Sequence, residues 1–388
     1  MYDLILYDTS NFVDFPMGGQ LTSIRSFLKY LAHDRKEFAK RVLLVGITCR
    51  AGEVGKISWV RMDGVDFAFL PVLFRDPDLA AVQTSLRLEY VKALLRERRK
   101  IPSGKGCLHY LHTPEAFIAV KMIHPLAKTA VFSHGSFFNM AQGFRFFREN
   151  KLIQFGFHQF LILLLRTANM LFALDADTAR EYRKYNKNVF CAENAIVLPE
   201  EIPNRDACHN PVRLLFVGRL SQVKGIDGLM EAVEQLPYPV QLTIVGDGEE
   251  REKLKSRIAE KGLEDRITLV GGCPPDAVAE YYQNSDILVM NSSVEGKPMV
   301  ILEAMSYGLP VVTTPAGGVP EMVAGTGAAE LTDGTPEQIG QKVTVIAENY
   351  SRYAACAVDA AKKYDYRKVN EEVFRMLGRY IVQGQKNR

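Results

Sequence analysis

Two glutamates, Glu295 and Glu303, bracket the run Gly296-Lys297-Pro298-Met299-Val300-Ile301-Leu302, which reads as a loop-to-helix junction. The apolar run Ile287-Leu288-Val289-Met290, followed by Asn291-Ser292-Ser293, predicts a buried strand ending just before Glu295, with a helix starting near Val300. Gly296 and Pro298 let the backbone approach a ligand closely, and the N–H groups of a helix's first turn have no intrahelical partner, so they suit a phosphate. An ionised glutamate accepts hydrogen bonds, as from the hydroxyls of a vicinal diol. Phosphate and diol together are what a sugar nucleotide presents. The same pattern also fits a capping glutamate plus a surface glutamate with no ligand.

Three more strand ends carry residues of matching chemistry. Phe216-Val217-Gly218-Arg219-Leu220-Ser221-Gln222-Val223-Lys224-Gly225 sets two cations ahead of a helix, and two cations can neutralise a diphosphate without a metal. Val245-Gly246-Asp247-Gly248-Glu249 forms another loop that a ligand can approach, and Gly271-Gly272-Cys273-Pro274 exposes backbone groups able to read a nucleobase edge. Glycine commonly ends strands, so each signal is weak alone. Together, in register on successive strands, they point to one site.

The elements that must position these residues alternate along the whole chain. In the first half the expected strands are Leu4–Tyr7, Val42–Thr48, Phe67–Val72, Leu108–Leu111, Ala130–Ser133 and Met170–Leu174; in the second, Arg213–Val217, Gln241–Val245, Ile267–Val270, Ile287–Met290 and Val311–Thr313. Helical patterns separate them, around Gly225–Leu236, Glu249–Lys261, Pro275–Asn284 and Val300–Tyr307 in the second half. Apolar strands divided by helices predict parallel sheets covered on both faces, one Rossmann-like α/β domain in each half. At 388 residues the chain exceeds a typical single core. The proline-rich polar stretch from Leu198 to Pro211 reads as the linker that joins the two domains, giving domains 1–197 and 198–365 and a C-terminal helix over 366–388. Two such domains facing each other would leave a deep cleft at the carboxyl ends of their strands.

The order of these motifs, F-V-G-R-L…K-G, V-G-D-G, G-G and E-G-K-P-M-V-I-L-E-A-M-S-Y-G-L-P-V-V, resembles the retaining glycosyltransferases of family 4, also described as glycosyl transferases group 1, which have the GT-B fold. The resemblance covers nearly the whole chain. It implies that Arg219 and Lys224 bind a donor diphosphate, that Glu303 accepts from the ribose hydroxyls, that Glu295 contacts the donor sugar, and that the backbone of Gly296, Lys297, Pro298 and Met299, leading into Val300, packs against that sugar. It further implies donor-binding roles for Gly18 and Gly19, for Gly218, Gly246, Asp247, Gly272 and Cys273, and for Asn194 just before the linker. His134, in Phe132-Ser133-His134-Gly135, matches a histidine near the reacting sugar; read alone, it is as well explained as a hydrogen-bonded loop residue. His109, His112, His124 and His158 read as structural. Two features depart from the family: Lys297 stands where an aromatic or apolar residue is common, and the stretch after Glu321 lacks the usual acidic-glycine turn.

The expected function is transfer of a hexose from a nucleoside-diphosphate sugar, UDP-glucose being the type, to an acceptor hydroxyl with retention. The alternatives are another GT-B enzyme, an inverting transferase or phosphorylase, and a non-catalytic nucleotide-sugar binder. No cofactor and no metal is expected: the six cysteines are scattered without a C-x-x-C pair, and Asp175-Ala176-Asp177, though it mimics a D-x-D metal motif, reads better as a strand end and helix N-cap. No nucleic-acid partner is expected. Residues 1–195 hold 27 Lys+Arg against 18 Asp+Glu, the remainder 21 against 27. The basic first half, with Arg96-Glu97-Arg98-Arg99-Lys100 on one stretch and Arg145, Arg148 and Lys151 among Phe144, Phe146 and Phe147 on another, suggests an anionic membrane surface and a glycan or lipid-linked glycan acceptor. Solvated surface charge and inward-packed aromatics explain the same residues. Met1-Tyr2-Asp3-Leu4-Ile5-Leu6 reads as a strand rather than a signal peptide, and Phe160–Leu165 as a buried helix, so a cytoplasmic chain is expected, peripheral on the inner membrane face. Val369, Val373, Met376, Leu377, Tyr380 and Ile381 form a helical apolar stripe that should pack back on the first domain.

Overall fold

Val42–Thr48 is buried along its entire length, as are Leu4–Tyr7 and Leu108–Leu111, which requires sheets covered on both faces. The computed structural model describes residues 2–12, 19–76, 86–102, 106–138 and 151–381. The chain divides into two compact units, Met1–Glu193 together with Val369–Arg388, and Asn194–Lys368.

The first unit holds an eight-stranded sheet of order β3-β4-β2-β1-β5-β6-β7-β8. Its strands are β1 (Leu4–Tyr7), β2 (Val42–Thr48), β3 (Ser58–Met62), β4 (Val65–Phe74), β5 (Leu108–Leu111), β6 (Lys128–Ser133), β7 (Met170–Ala173) and β8 (Val189–Cys191). All neighbours are parallel except β3, which pairs antiparallel with β4. The expected all-parallel sheet is therefore corrected at this edge, where Asp63 and Gly64, both at positive φ, make the tight turn that only a hairpin needs. Alternate residues Ile5, Tyr7, Leu43, Val45, Leu111, Val131 and Leu171 fill the core on one face. The helix Tyr366–Ile381 closes this unit: Val373, Met376, Leu377 and Ile381 are buried, Phe374 packs edge-on against Phe38 at 5.0 Å, and Asn370 reaches Ser26 Oγ at 3.3 Å.

The helix Lys151–Thr167 is a half-buried element rather than the buried helix expected from Phe160–Leu165. Leu161, Ile162, Leu164 and Leu165 are buried, but Phe155, Phe160 and Leu163 are 65%, 42% and 61% exposed. A helix packed on one face of a sheet shows its opposite face to solvent whatever that face's composition.

The second unit holds a six-stranded sheet, order β11-β10-β9-β12-β13-β14, parallel throughout. Its strands are β9 (Val212–Val217), β10 (Val240–Val245), β11 (Ile267–Gly271), β12 (Ile287–Val289), β13 (Val311–Thr313) and β14 (Ala329–Leu331). Leu214, Phe216, Leu242, Ile244 and Val289 enter the core on one face, and Leu215, Val245, Leu288 and Val311 enter that on the other. Strand order reverses between β9 and β12, and in doubly wound sheets ligands bind outside the carboxyl ends of the strands at such a switch point.

Candidate functional site

Lys224 and Glu295 are 71 residues apart in sequence, yet Lys224 Nζ lies 2.6 Å from Glu295 Oε1, with 19% and 9% of the side chains exposed. The pair spans the switch point, because Lys224 follows β9 and Glu295 follows β12. Backbone stitching brings the two loops together: Ser293 donates to the Val223 carbonyl at 2.8 Å, and Asn291 Nδ2 donates to the Gly225 carbonyl at 3.1 Å. Gly225, at φ 59°, permits this approach, since a Cβ there would sit 2.4 Å from the Asn291 carbonyl oxygen. Arg219 is exposed, and its guanidinium has no hydrogen-bond or ion-pair partner among the described residues. A paired ammonium, a guanidinium without a partner and a carboxylate thus share one edge of the sheet.

The loop that carries Glu295 is held from behind. Gly318 donates to the Gly296 carbonyl at 2.8 Å, and a Cβ on Gly317 (φ 54°) would stand only 1.9 Å from the Glu295 carbonyl oxygen. Asn194, which is 4% exposed, donates from Nδ2 to the Lys297 carbonyl at 2.9 Å. The Lys297 side chain is itself 7% exposed, with its stem against Gly318 and Nζ 3.4 Å from Glu321. Asn291, Gly317 and Gly318 were not among the expected site residues; the paired glycines of Ala316-Gly317-Gly318 after a strand are the signal that could have found them.

Pro298 leads into the helix Met299–Ser306, whose Met299 is buried and whose Val300 is half-buried. Glu303, one turn in, accepts from Tyr282 Oη at 2.8 Å. Burial pushes its carboxyl above the ordinary carboxylate range, and the Tyr282 hydrogen bond opposes that rise in part.

The expected glycines occupy the same carboxyl edge. Gly218 donates to Val245 and Gly246 to Gly271, while a Cβ on Gly246 (φ 144°) would overlap the Gly218 carbonyl at 1.8 Å. Asp247 is exposed; it accepts from the Gly248 N–H and pairs with Arg251 at 2.8 Å. Gly272 and Cys273 follow β11, two strands from β9, and the Cys273 side chain is half-buried.

In the first unit, His134 follows β6 and His112 follows β5. Gly19 begins the helix Gly19–Asp34, and Gly18 lies outside the described residues. His134 Nε2 and His112 Nδ1 are 3.2 Å apart, and His112 stacks on Phe132 with ring centroids 5.2 Å apart. Burial lowers His134 to about 4 and drives His112 well below its usual value, with the neighbouring His134 adding to the fall. Both imidazoles are neutral at pH 7. His112 is therefore His134's hydrogen-bond partner as well as a core residue, while His109, bonded to Tyr7 Oη at 2.8 Å, is purely internal.

The basic stretch is partly occupied by local contacts: Arg96 and Lys100 both pair with Glu97, and Arg98 donates to the Leu95 carbonyl. Phe144, Arg145, Phe146, Phe147, Arg148 and the side chain of Lys151 lie outside the described residues. Asp175 caps the helix Ala176–Arg183 by accepting from Thr178 N at 2.7 Å, and Asp177 pairs with Arg180. Among the described residues, no helix is long and apolar enough to cross a membrane, and no three His, Cys, Asp or Glu side chains are grouped as metal ligands would be.

Residues 200–363 match the family model described as glycosyl transferases group 1. Among curated proteins, the chain is 38% identical over 128 residues, 31% of either chain, to the amylovoran biosynthesis glycosyltransferase AmsK of Erwinia amylovora. It is 30% identical over 188 residues, 47% of this chain and 52% of the relative, to the O-antigen biosynthesis glycosyltransferase WbnH of Escherichia coli. The chain thus spans about a third to half of these relatives' lengths. Among solved structures, sucrose-phosphate synthase from Thermosynechococcus elongatus superposes with a TM-score of 0.77 at 15% identity, covering 98% of this chain and 99% of that one. Anabaena HepE in complex with UDP and glucose superposes with a TM-score of 0.70 at 18% identity, covering 97% and 100%. The fold is the GT-B fold of glycosyltransferases.

Proposed function

We propose that this chain is a metal-independent, retaining glycosyltransferase of family 4 that moves a hexose from UDP-hexose, such as UDP-glucose, to a hydroxyl of a lipid-linked glycan in polysaccharide biosynthesis. The observation that carries the reading is the Lys224–Glu295 pair across the switch point, beside the exposed Arg219. An ammonium has three donors and Glu295 engages one, so Lys224 can hold a diphosphate oxygen while Glu295 keeps its remaining acceptor capacity for sugar hydroxyls. Arg219 adds a planar fork for the same diphosphate. Charge on the departing diphosphate is then stabilised by Lys224, Arg219 and the N-terminus of the helix Met299–Ser306, and Glu303 takes the ribose hydroxyls. With no obvious nucleophile on the sugar's far face, attack comes from the leaving group's own face, and the diphosphate oxygen accepts the acceptor's proton. The neutral His134 serves as a hydrogen-bond partner for a sugar hydroxyl.

The amylovoran and O-antigen biosynthesis names of the relatives support a glycan acceptor, and the UDP and glucose in the HepE complex support the donor. Attachment to an anionic membrane on its cytoplasmic side is supported by the exposed Phe155, Phe160 and Leu163 on a helix that contains no Asp or Glu. A screen of UDP- and GDP-hexoses in excess chelator, with mass analysis of the product and the configuration of its new bond, tests the reading. A hexose transferred from UDP with its anomeric configuration kept is expected. Transfer only with added Mg²⁺ or Mn²⁺ would remove the metal-free mechanism, an inverted product would move the chain to another GT-B class, and binding without transfer would make it a nucleotide-sugar binder.

A further inference from the structure

Trp59, the only tryptophan of the chain, stands 64% exposed on the edge strand β3. Strand alternation explains its direction: Val60 turns into the core, so Trp59 and Arg61 turn outward. The ring borders an open concavity of about 510 Å³ lined by Lys36, Lys40, Trp59, Gly64, Val65 and Asp66. Lys36 and Lys40 lie one helical turn apart and both are exposed. Lys40 pairs with Glu37 at 2.7 Å, a contact more than half exposed on both sides and therefore readily exchanged for another anion. The lining offers an aromatic face, two ammonium groups and one carboxylate.

We propose that this concavity is a glycan-binding site for an acidic saccharide, one whose residues bear carboxylates. An exposed indole presents a flat apolar face to the C–H face of a pyranose and costs little conformational entropy to hold. Lys36 and Lys40 pair with the sugar's carboxylate, and Asp66 accepts from its hydroxyls. The volume lies within the roughly 300–1,000 Å³ usual for small-ligand sites. A membrane surface fits less well, because the site is concave and carries Asp66 among its cations. The proposal deepens the glycan-acceptor reading and rests on it for the kind of polymer at hand, but its residues belong to the first unit, whereas Lys224, Glu295 and Glu303 belong to the second.

Because Trp59 is unique, its fluorescence reports this site alone. The full chain is titrated, without any donor, with the tetramer of galacturonic acid, with maltotetraose as the neutral control, and with anionic vesicles, so the outcome does not depend on whether transfer occurs. The acidic tetramer should give a saturable blue shift that weakens with salt, and the double variant Lys36→Gln/Lys40→Gln should weaken it about 10-fold, the scale of two exposed charge pairs. Calorimetry with Trp59→Ala should show the same tetramer bound more weakly. No response to the acidic tetramer at millimolar concentration, an equal response to maltotetraose, or a response to vesicles alone would overturn the proposal.

Discussion

The two sheets reverse strand order in the same way, one between β1 and β5 and the other between β9 and β12, yet their carboxyl edges are electrostatically opposite in kind. The second unit's edge holds acidic and basic side chains: Lys224 against Glu295, Arg219 with no side-chain partner among the described residues, and Glu303 backed by Tyr282. The first unit's edge holds two imidazoles kept neutral by burial, at the ends of the adjoining strands β5 and β6. One topology therefore provides either a charged cradle or a neutral hydrogen-bonding shelf. Which it provides depends on the few residues after each strand, as function grafted on a common fold requires.

Breaking the charged side should have the largest effect. Lys224→Ala removes the ammonium aimed at the diphosphate and leaves Glu295 half-buried without its partner, so turnover should fall about 10²-fold or more, the scale for one preorganised charge. Steady-state kinetics that matched the parent would take Lys224 out of the site. A smaller loss, about 10-fold, is expected for Gly317→Ala: its Cβ cannot coexist with the Glu295 carbonyl at 1.9 Å, and strain of about 1–3 kcal/mol must displace the loop. Full activity in a folded Gly317→Ala protein would show that the loop's position does not matter.

The neutral side is sharpened by pH. His134 is lowered to about 4 from an ordinary 6.5, and the buried His109 to about 3, so between these values the unfolded chain binds protons that the folded chain refuses. Stability from these groups is fully present above about pH 6.5 and declines as the pH falls toward 4. Thermal melts across that range should show a falling Tm, with a flatter slope in His134→Asn. An identical slope in the variant would mean that His134 titrates normally.

Much of this arrangement was legible in the sequence, for local reasons. Leu4–Tyr7, Val42–Thr48 and Leu108–Leu111 are short, largely apolar runs, and the structure ends them where the pattern does. The strand-end positions of Gly218, Gly246 and Gly272 follow from like runs in the second half, those of β9, β10 and β11. What was missed depends on pairing across long sequence distances or on mixed composition. β3 mixes exposed and buried residues, and its Asp63-Gly64 turn, a hairpin signal, lies within a pattern otherwise dominated by parallel strands. β8 and β14 are three residues each and partly exposed. The Asn291–Gly225 stitch, the Gly317 backing of Glu295 and the His112–His134 contact all join loops from different strands, so no window of the sequence contains both partners.

The central claim is that the carboxyl edge of the second sheet binds a nucleoside diphosphate, with Glu303 on its ribose. Calorimetric titration of UDP into the parent chain and into Glu303→Ala tests it most directly, because binding is read without acceptor or transfer. One UDP per chain is expected, weakened in the variant by roughly 1.5–3 kcal/mol, the range for hydrogen bonds to a charged group. Equal affinity in the two proteins, or no UDP binding by the parent, would contradict the account.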